Sequence, residues 1–217
     1  MNRLPVKAIM FDLDGTLIDT IPIIIESYQA TYDHFGKRFH DADEIKAGIG
    51  LPLEEIFMEY PDEVQDMLDW YIAYNMPRMG SHVGIYLGIP HMLAELKAAG
   101  YPLAIVTAKR LENARQSLRD FELLPYFDAV VTKFDTDIHK PDPEPLHMGR
   151  RKLGINNPEE VLYVGDSVHD LQAANNGHYP SAAVGWSAMP HADLRAENPT
   201  LWVDTPADLI RLLILKK

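Results

Sequence analysis

Two aspartates one residue apart, Asp12 and Asp14, directly follow a short apolar run, Val6 to Phe11, and precede Gly15 and Thr16. At a strand end such carboxylates can converge on one point, and in parallel α/β sheets the carboxyl end of the strands is where ligands bind. An isolated buried carboxylate is costly, so a pair of them usually shares a cation or a proton. Taken alone, D-x-D-G fits a helix-capping turn about equally well. A calcium loop fits poorly, because the EF-hand needs its Gly at loop position six and an entering helix. A second acidic pair, Asp166 and Asp170, sits in Gly165-Asp166-Ser167-Val168-His169-Asp170 after another apolar run. Four-residue spacing puts both on one face if a helix opens there. Helix N-termini favour Asp in any case, so this pair alone points to capping about twice as readily as to catalysis. Two acidic strand ends in one sheet reverse that balance: four carboxylates call for a hard cation with oxygen ligands, and Mg²⁺ fits.

Thr107 ends a further apolar run in Ile105-Val106-Thr107-Ala108-Lys109. A hydroxyl beside backbone N–H groups makes a phosphate cradle, although a Thr at a helix start is also an ordinary N-cap. Lys140 lies in His139-Lys140-Pro141-Asp142-Pro143, where the prolines stiffen the loop and a helix can start at Pro143. A lone Lys is usually solvated surface; held rigidly near carboxylates, it would neutralise them and bind a phosphoryl oxygen. A nucleophilic carboxylate, a second one for proton transfer, a hydroxyl, a fixed cation and a metal together suit phosphoryl transfer.

The elements that must position these groups are legible in outline. Val6 to Phe11, Leu103 to Val106, Ala129 to Val131, Val161 to Val164, Ser181 to Val184 and Leu201 to Val203 are short apolar runs, mostly without alternation. That is the pattern of strands buried on both faces. Helical stretches lie between them: His91 to Ala99, Leu111 to Phe121, Pro143 to Leu153 and Val168 to Asn176. Alternation of this kind predicts a doubly wound parallel sheet with helices on both faces. One segment breaks the rhythm. Residues 16–83 show helical patterns (Ile21 to Phe35, Asp43 to Ala47, Leu53 to Tyr60, Pro61 to Asn75) and no convincing strand. The expected organisation is therefore a core of residues 1–15 and 84–217 with an all-α insertion at 16–83. Its hinges are expected at Gly15-Thr16 and Gly80 to Gly88, where glycine can absorb backbone rotation.

The chain has 217 residues and a formal charge of −12. Residues 16–83 hold 13 acidic and 4 basic side chains, so most of that charge lies in the insertion. A non-specific nucleic-acid binder or a protein of anionic membrane surfaces wants the opposite sign. There is no Cys, which removes disulfides, zinc–thiolate sites and thiol nucleophiles. The N-terminal stretch lacks the pattern of a secretory signal, and no apolar run approaches membrane-spanning length. The expectation is a cytoplasmic protein acting on a small phosphorylated molecule, without nucleic-acid or membrane partners, as a monomer or a homodimer.

FDLDGT, IVTAK, HKPDPEPL and YVGDSVHD, in that order, resemble the four motifs of the haloacid dehalogenase (HAD) superfamily. The insertion resembles the small helical cap of the subgroup holding phosphoglycolate phosphatases, β-phosphoglucomutases and a pyrophosphatase. The resemblance implies a Rossmann-like core, Asp12 as the nucleophile that forms an aspartyl-phosphate, and Asp14 as general acid and base. It further implies Thr107, the backbone of Ala108 and Lys140 as phosphoryl ligands, and Mg²⁺ held by Asp12, the carbonyl of Asp14, and Asp166. Asp170 would bind the metal through water or orient Lys140. Ile49-Gly50-Leu51-Pro52 resembles the cap loop that faces the site in relatives, and Gly50, with Lys46 just before that loop, would touch substrate. Carbon–halogen-cleaving members lack an acid at the position of Asp14, so a phosphatase is expected over a dehalogenase. Phosphoglycolate-like metabolites are the leading substrate class, with inorganic pyrophosphate next. A phosphosugar mutase is less favoured, and a receiver domain is shorter and has no cap.

Overall fold

The computed structural model describes residues 5–215, of which Gly80, Ser81, His82 and Leu215 are described by backbone alone. Residues 1–4 of the expected core segment, and 216–217, lie outside the described residues. The described residues form eight strands: β1 (Ala8–Phe11), β2 (Ile18–Asp19), β3 (Gly84–Ile85), β4 (Leu103–Val106), β5 (Ala129–Val131), β6 (Val161–Gly165), β7 (Ser181–Val184) and β8 (Leu201–Val203). Six of them form one parallel sheet in the order β5-β4-β1-β6-β7-β8. The chain leaves β1 toward β4 and β5, then returns across the sheet to β6, β7 and β8. The direction of winding therefore reverses between β1 and β6, which opens a crevice above their carboxyl ends. β1, β4, β6 and β7 are buried along their whole length, which explains why they are continuous apolar runs rather than alternating ones.

Helices cover both faces. α5 (Ile89–Ala98) and α6 (Leu111–Asp120) close over one side, where Leu93, Leu96, Ala114 and Leu118 pack on Ile9, Phe11 and Ile105. On the other side α7 (Glu144–Lys152) and α8 (Val168–Asn176) bury Leu146, Ala173 and Ala174 against Met10, Val106 and Tyr163. Between β2 and β3 lie α1 (Ile21–His34), α2 (Ala42–Gly48), α3 (Leu53–Phe57) and α4 (Val64–His82). These helices share an aromatic-rich core of their own, built from Tyr28, Tyr32, Ile45, Phe57, Met67, Leu68 and Tyr71.

Three local features differ from expectation. Ile18 and Asp19 pair antiparallel with Ile85 and Gly84, so the two chains joining the helices to the sheet form a short ribbon. Two residues are too few for a periodicity signal. The last helix runs past Asn75 to His82, through Pro77. Pro normally ends a helix, but here the helical arrangement outlasts it. Gly80 accordingly lies in that helix and not in a connecting hinge. On the entry side, Thr16 is fully buried, and its carbonyl accepts a hydrogen bond from Trp186 Nε1 at 3.0 Å.

Gly149 shows how closely α7 seats on the sheet: a Cβ there would stand 2.8 Å from both Met10 Sδ and Val106 Cγ2. Ala gains up to about 1 kcal/mol over Gly in a helix interior, whereas overpacking costs about 1–3 kcal/mol. Val106 is β-branched and held in a central strand, so the clash wins. Gly149→Ala is expected to lower the unfolding free energy by about 1 kcal/mol in urea titrations. A stabilised variant would show that the seam has slack.

Candidate active site

The crevice between β1 and β6 is walled by Asp12 and Asp166. The Asp12 backbone N–H donates to the Val164 carbonyl at 2.9 Å, which extends the β1–β6 ladder by one residue and locks the two strand ends together. Gly15 then turns the chain with φ of +78°, a conformation that an L side chain rarely adopts. A Cβ at Gly15 would also overlap the Asp166 carboxylate. Glycine is required here on both counts, and the turn lets Thr16 Oγ1 donate to Asp166 Oδ1 at 3.0 Å. Asp14 Oδ1 accepts from Thr20 Oγ1 at 2.8 Å and from Lys109 Nζ at 2.7 Å. Asp14 is thus held from the junction of β2 and α1 on one side and from the loop after β4 on the other.

Below the cleft, Lys140 Nζ donates to Asp12 Oδ1 at 2.8 Å, to Asp170 Oδ1 at 2.6 Å and to the Tyr163 hydroxyl at 3.1 Å. Asp170 Oδ1 also lies within hydrogen-bond distance of that hydroxyl, 2.9 Å. Its Oδ2 accepts from the backbone N–H of Ser167 at 3.1 Å and the Ser167 hydroxyl at 2.7 Å, closing a capping box at the start of α8. Burial pushes the Asp12 carboxyl up to about 7; Lys140 pulls it down, and Asp170 and Asp14 push it up. Burial, with Asp170 and Asp12 nearby, carries Asp166 well above the usual carboxylate range. Asp170 goes the other way: against its burial, Lys140, Ser167 and Tyr163 hold it below that range. Lys140, despite its own burial, stays firmly charged beside Asp12 and Asp170.

The residues present fit a divalent cation. Asp12, Asp166 and Asp170 each offer a carboxylate oxygen, and these lie within 4.8 Å of one another. Asp166 is only 1% exposed, yet its Oδ2 has no hydrogen-bond partner among the described residues. One ammonium cannot neutralise three buried carboxylates, and an all-oxygen donor set suits Mg²⁺.

Asp12, Asp14, Gly50, Thr107, Ala108 and Asp166 line one cleft between the sheet and the helices of residues 21–82. Thr107 Oγ1 accepts from the Lys109 N–H at 3.2 Å, shaping the turn after β4. Lys140 and Asp170 stand behind the wall of that cleft. Lys46 is not brought to it: it pairs with Asp43 at 3.2 Å and faces a neighbouring hollow beside Ser167 and His169. Gly50, with φ of +103°, approaches Ser167 so closely that a Cβ would stand 3.0 Å from its hydroxyl. Sequence reasoning missed Tyr163, whose signal was a hydroxyl-bearing residue in an otherwise aliphatic buried strand. It also missed Glu54, which reaches from α3 to Arg110 at 2.8 Å and to Lys133. No spacing rule links those three positions.

A family model described as haloacid dehalogenase-like hydrolase matches residues 9–184. The chain is 36% identical to pyrophosphatase PpaX of Bacillus velezensis over 97% of this chain and 98% of that one. It is 33% identical to pyrophosphatase PpaX of Bacillus pumilus, over 98% and 99%. Among solved structures, a candidate phosphoglycolate phosphatase from Lactobacillus plantarum superposes with a TM-score of 0.85 at 25% identity, covering 95% of this chain and 99% of that one. A candidate haloacid dehalogenase-like hydrolase from Bacteroides fragilis gives 0.87 at 26% identity, over 94% and 100%. Among the described residues, no helix is long and apolar enough to cross a membrane. With four motifs gathered at one crevice and the family model spanning most of its length, the chain belongs to the haloacid dehalogenase-like hydrolases.

Proposed function

We propose that the protein is a Mg²⁺-dependent phosphatase that hydrolyses a small phosphorylated metabolite through an aspartyl-phosphate on Asp12. The observation that carries this reading is the buried Lys140, shared between Asp12 and Asp170 beside the unpartnered Asp166 Oδ2. Mg²⁺ on Asp12, the Asp14 carbonyl and Asp166 would offset the phosphoryl charge and the excess of carboxylates. Thr107 and the backbone at Ala108 bind the phosphoryl oxygens; Lys140, behind the wall of the cleft with its donors on Asp12, Asp170 and Tyr163, offsets the phosphoryl charge and reaches an oxygen only by giving up one of those partners. The Asp12 carboxylate attacks phosphorus in line as the bond to the leaving oxygen breaks, and Asp14 delivers a proton to that oxygen. Asp14 then takes a proton from water, whose oxygen attacks the aspartyl-phosphate, freeing phosphate and restoring Asp12. Thr20 and Lys109 fix the orientation of Asp14 for both transfers, and Asp170 with Tyr163 keeps Lys140 aimed at Asp12.

In this reading residues 1–15 and 84–217 are the catalytic core, and residues 16–83 are a cap that excludes water and selects the substrate. The cleft has a volume of about 100 Å³, which favours a compact metabolite over a polymer. Pyrophosphate is the second reading, favoured by the names of full-length relatives at 33–36% identity; phosphoglycolate is supported by the more distant structural likeness.

Asp12→Asn keeps the shape of the side chain and removes its nucleophilicity. Turnover of pyrophosphate and phosphoglycolate should fall about a thousand-fold or more, with the circular dichroism spectrum retained. A near-normal rate in the purified variant would refute the nucleophile.

Metal binding gives a separate check. In the metal-free protein the Asp12 carboxyl titrates near 7 because of its burial, well above an unfolded Asp. The folded state therefore holds protons that the unfolded state has lost between about pH 4 and 7, and this contribution to stability disappears as pH rises through that window. Mg²⁺ must displace those protons, so it binds better once they are gone. Added Mg²⁺ is expected to raise the melting temperature more at pH 8 than at pH 5, relative to EDTA at each pH. An equal or larger rise at pH 5 would count against this carboxylate cluster as the site.

A further inference from the structure

Glu54, Arg110 and Lys133 form an ion cluster that the hydrolytic chemistry does not use, and all three line the same cleft as Asp12 and Thr107. Arg110 caps the start of α6 just beyond β4, and Lys133 follows β5, so both cations stand on the rigid strand-end platform. Glu54 comes from α3, on the opposite wall. Its Oε1 accepts from Arg110 at 2.8 Å and its Oε2 pairs with Lys133. Although partial burial raises it, Lys133 and Arg110 hold the Glu54 carboxyl below its usual range, so this is a charged carboxylate seated on two cations. Arg110 Nε is buried and has no hydrogen-bond partner among the described residues, so Glu54 does not saturate the guanidinium. Lys109, the other cation lining the cleft, is already bonded to Asp14.

We infer that Arg110 and Lys133 form a second anion subsite, which reads a carboxylate or phosphate at the far end of the substrate, and that Glu54 fills this subsite in the empty enzyme. The inference rests on the phosphatase reading for the first subsite and narrows the substrate class to compact molecules with a phosphoryl group at one end and a second anion at the other. The bound Glu54 carboxylate shows that the pair accepts that chemistry. An arginine fork with a neighbouring ammonium suits a planar carboxylate or a phosphate and gives a neutral hydroxyl little. Glu54 is then a competitor that the substrate displaces, and neutralising it should help two-anion ligands. If the cluster were only a strut holding the helices to the core, neutralising Glu54 should weaken them.

The test is calorimetric binding of non-hydrolysable phosphonates to the Mg²⁺-loaded protein, so that it does not depend on turnover. Phosphonoacetate carries a carboxylate as its second anion, methylenediphosphonate a second phosphonate, and methylphosphonate none. At least one two-anion ligand is expected to bind about ten-fold tighter than methylphosphonate, and which one does identifies the second anion. In Arg110→Gln/Lys133→Gln, and in Lys133→Gln alone to a lesser degree, that ratio should fall toward 1. In Glu54→Gln it should rise. All three substitutions are at partly exposed positions, and thermal melts confirm folding of each variant. A wild-type ratio near 1, a ratio retained in the double variant, or a fall in Glu54→Gln would overturn the inference. Absence of phosphatase turnover, with the ratios behaving as expected, would instead sink the hydrolytic reading and leave the anion subsite standing.

Discussion

Lys140 is 3% exposed and carries its ammonium into a cluster of buried carboxylates. Asp12 arrives from β1, Asp170 from the first turn of α8, and Lys140 from the Pro-rich loop before α7, so three separate parts of the chain meet at one charge. Breaking a buried pair of this kind by removing one partner costs about 3–5 kcal/mol, because the other charge is left uncompensated. That penalty makes the geometry single-valued: β1 and β6 must end level, α8 must be capped at Ser167, and the loop must deliver Lys140 from below. The Tyr163 hydroxyl, placed between Lys140, Asp170 and the Val106 carbonyl, removes the remaining freedom.

The same cluster is built to be incomplete. One ammonium faces Asp12, Asp166 and Asp170, and the Asp166 Oδ2 finds no donor although Thr16 satisfies its Oδ1. A core selected for stability alone would supply a second donor or replace a carboxylate with an apolar group. Burial instead raises Asp12 and Asp166, while Lys140 and the hydrogen bonds of Ser167 and Tyr163 lower Asp170. Carboxylates with environments pushed apart in this way divide the labour: Asp170 is committed to Lys140, and the other two remain open to a cation or a reacting group.

How much of this was legible in the sequence follows from the range of each interaction. The strands were readable because burial on both faces makes them unbroken apolar runs, and Asp12, Asp166 and Thr107 were readable because each directly follows such a run. The ribbon of Ile18–Asp19 with Gly84–Ile85 was not, since it joins positions far apart in sequence with two residues on each side. Pro77 misled because local propensity favours a stop, and tertiary packing overrode it. Lys46 was placed near the site by its closeness to Gly50 in sequence, but it sits on a helix turn that faces another hollow and is taken by Asp43. Glu54 carries no local signal, because its partners lie beyond two different strands.

The contrast between the two charged clusters explains how one site can be both fixed and open. Around Lys140 every partner is deeply buried, so the electrostatic interactions are strong and exchange with solvent is costly. Around Glu54 the side chains keep more access to water, with 28% exposure on Glu54, 32% on Arg110 and 13% on Lys133. A partly solvated cluster of this kind is held less strongly than the fully buried Lys140 cluster, and it lies outside the hydrogen-bonded sheet. The helices of residues 21–82 carry a strongly acidic surface that would repel an anion at long range. The cations lining the cleft, Lys109, Arg110 and Lys133, all stand on the strand-end side. Attraction therefore belongs to the strand-end side, and the contact from the other wall contributes a carboxylate that, in the proposed subsite, an anionic ligand must outcompete. In the proposed subsite selectivity arises from that competition rather than from net charge, which is how an acidic protein could present a site for anions.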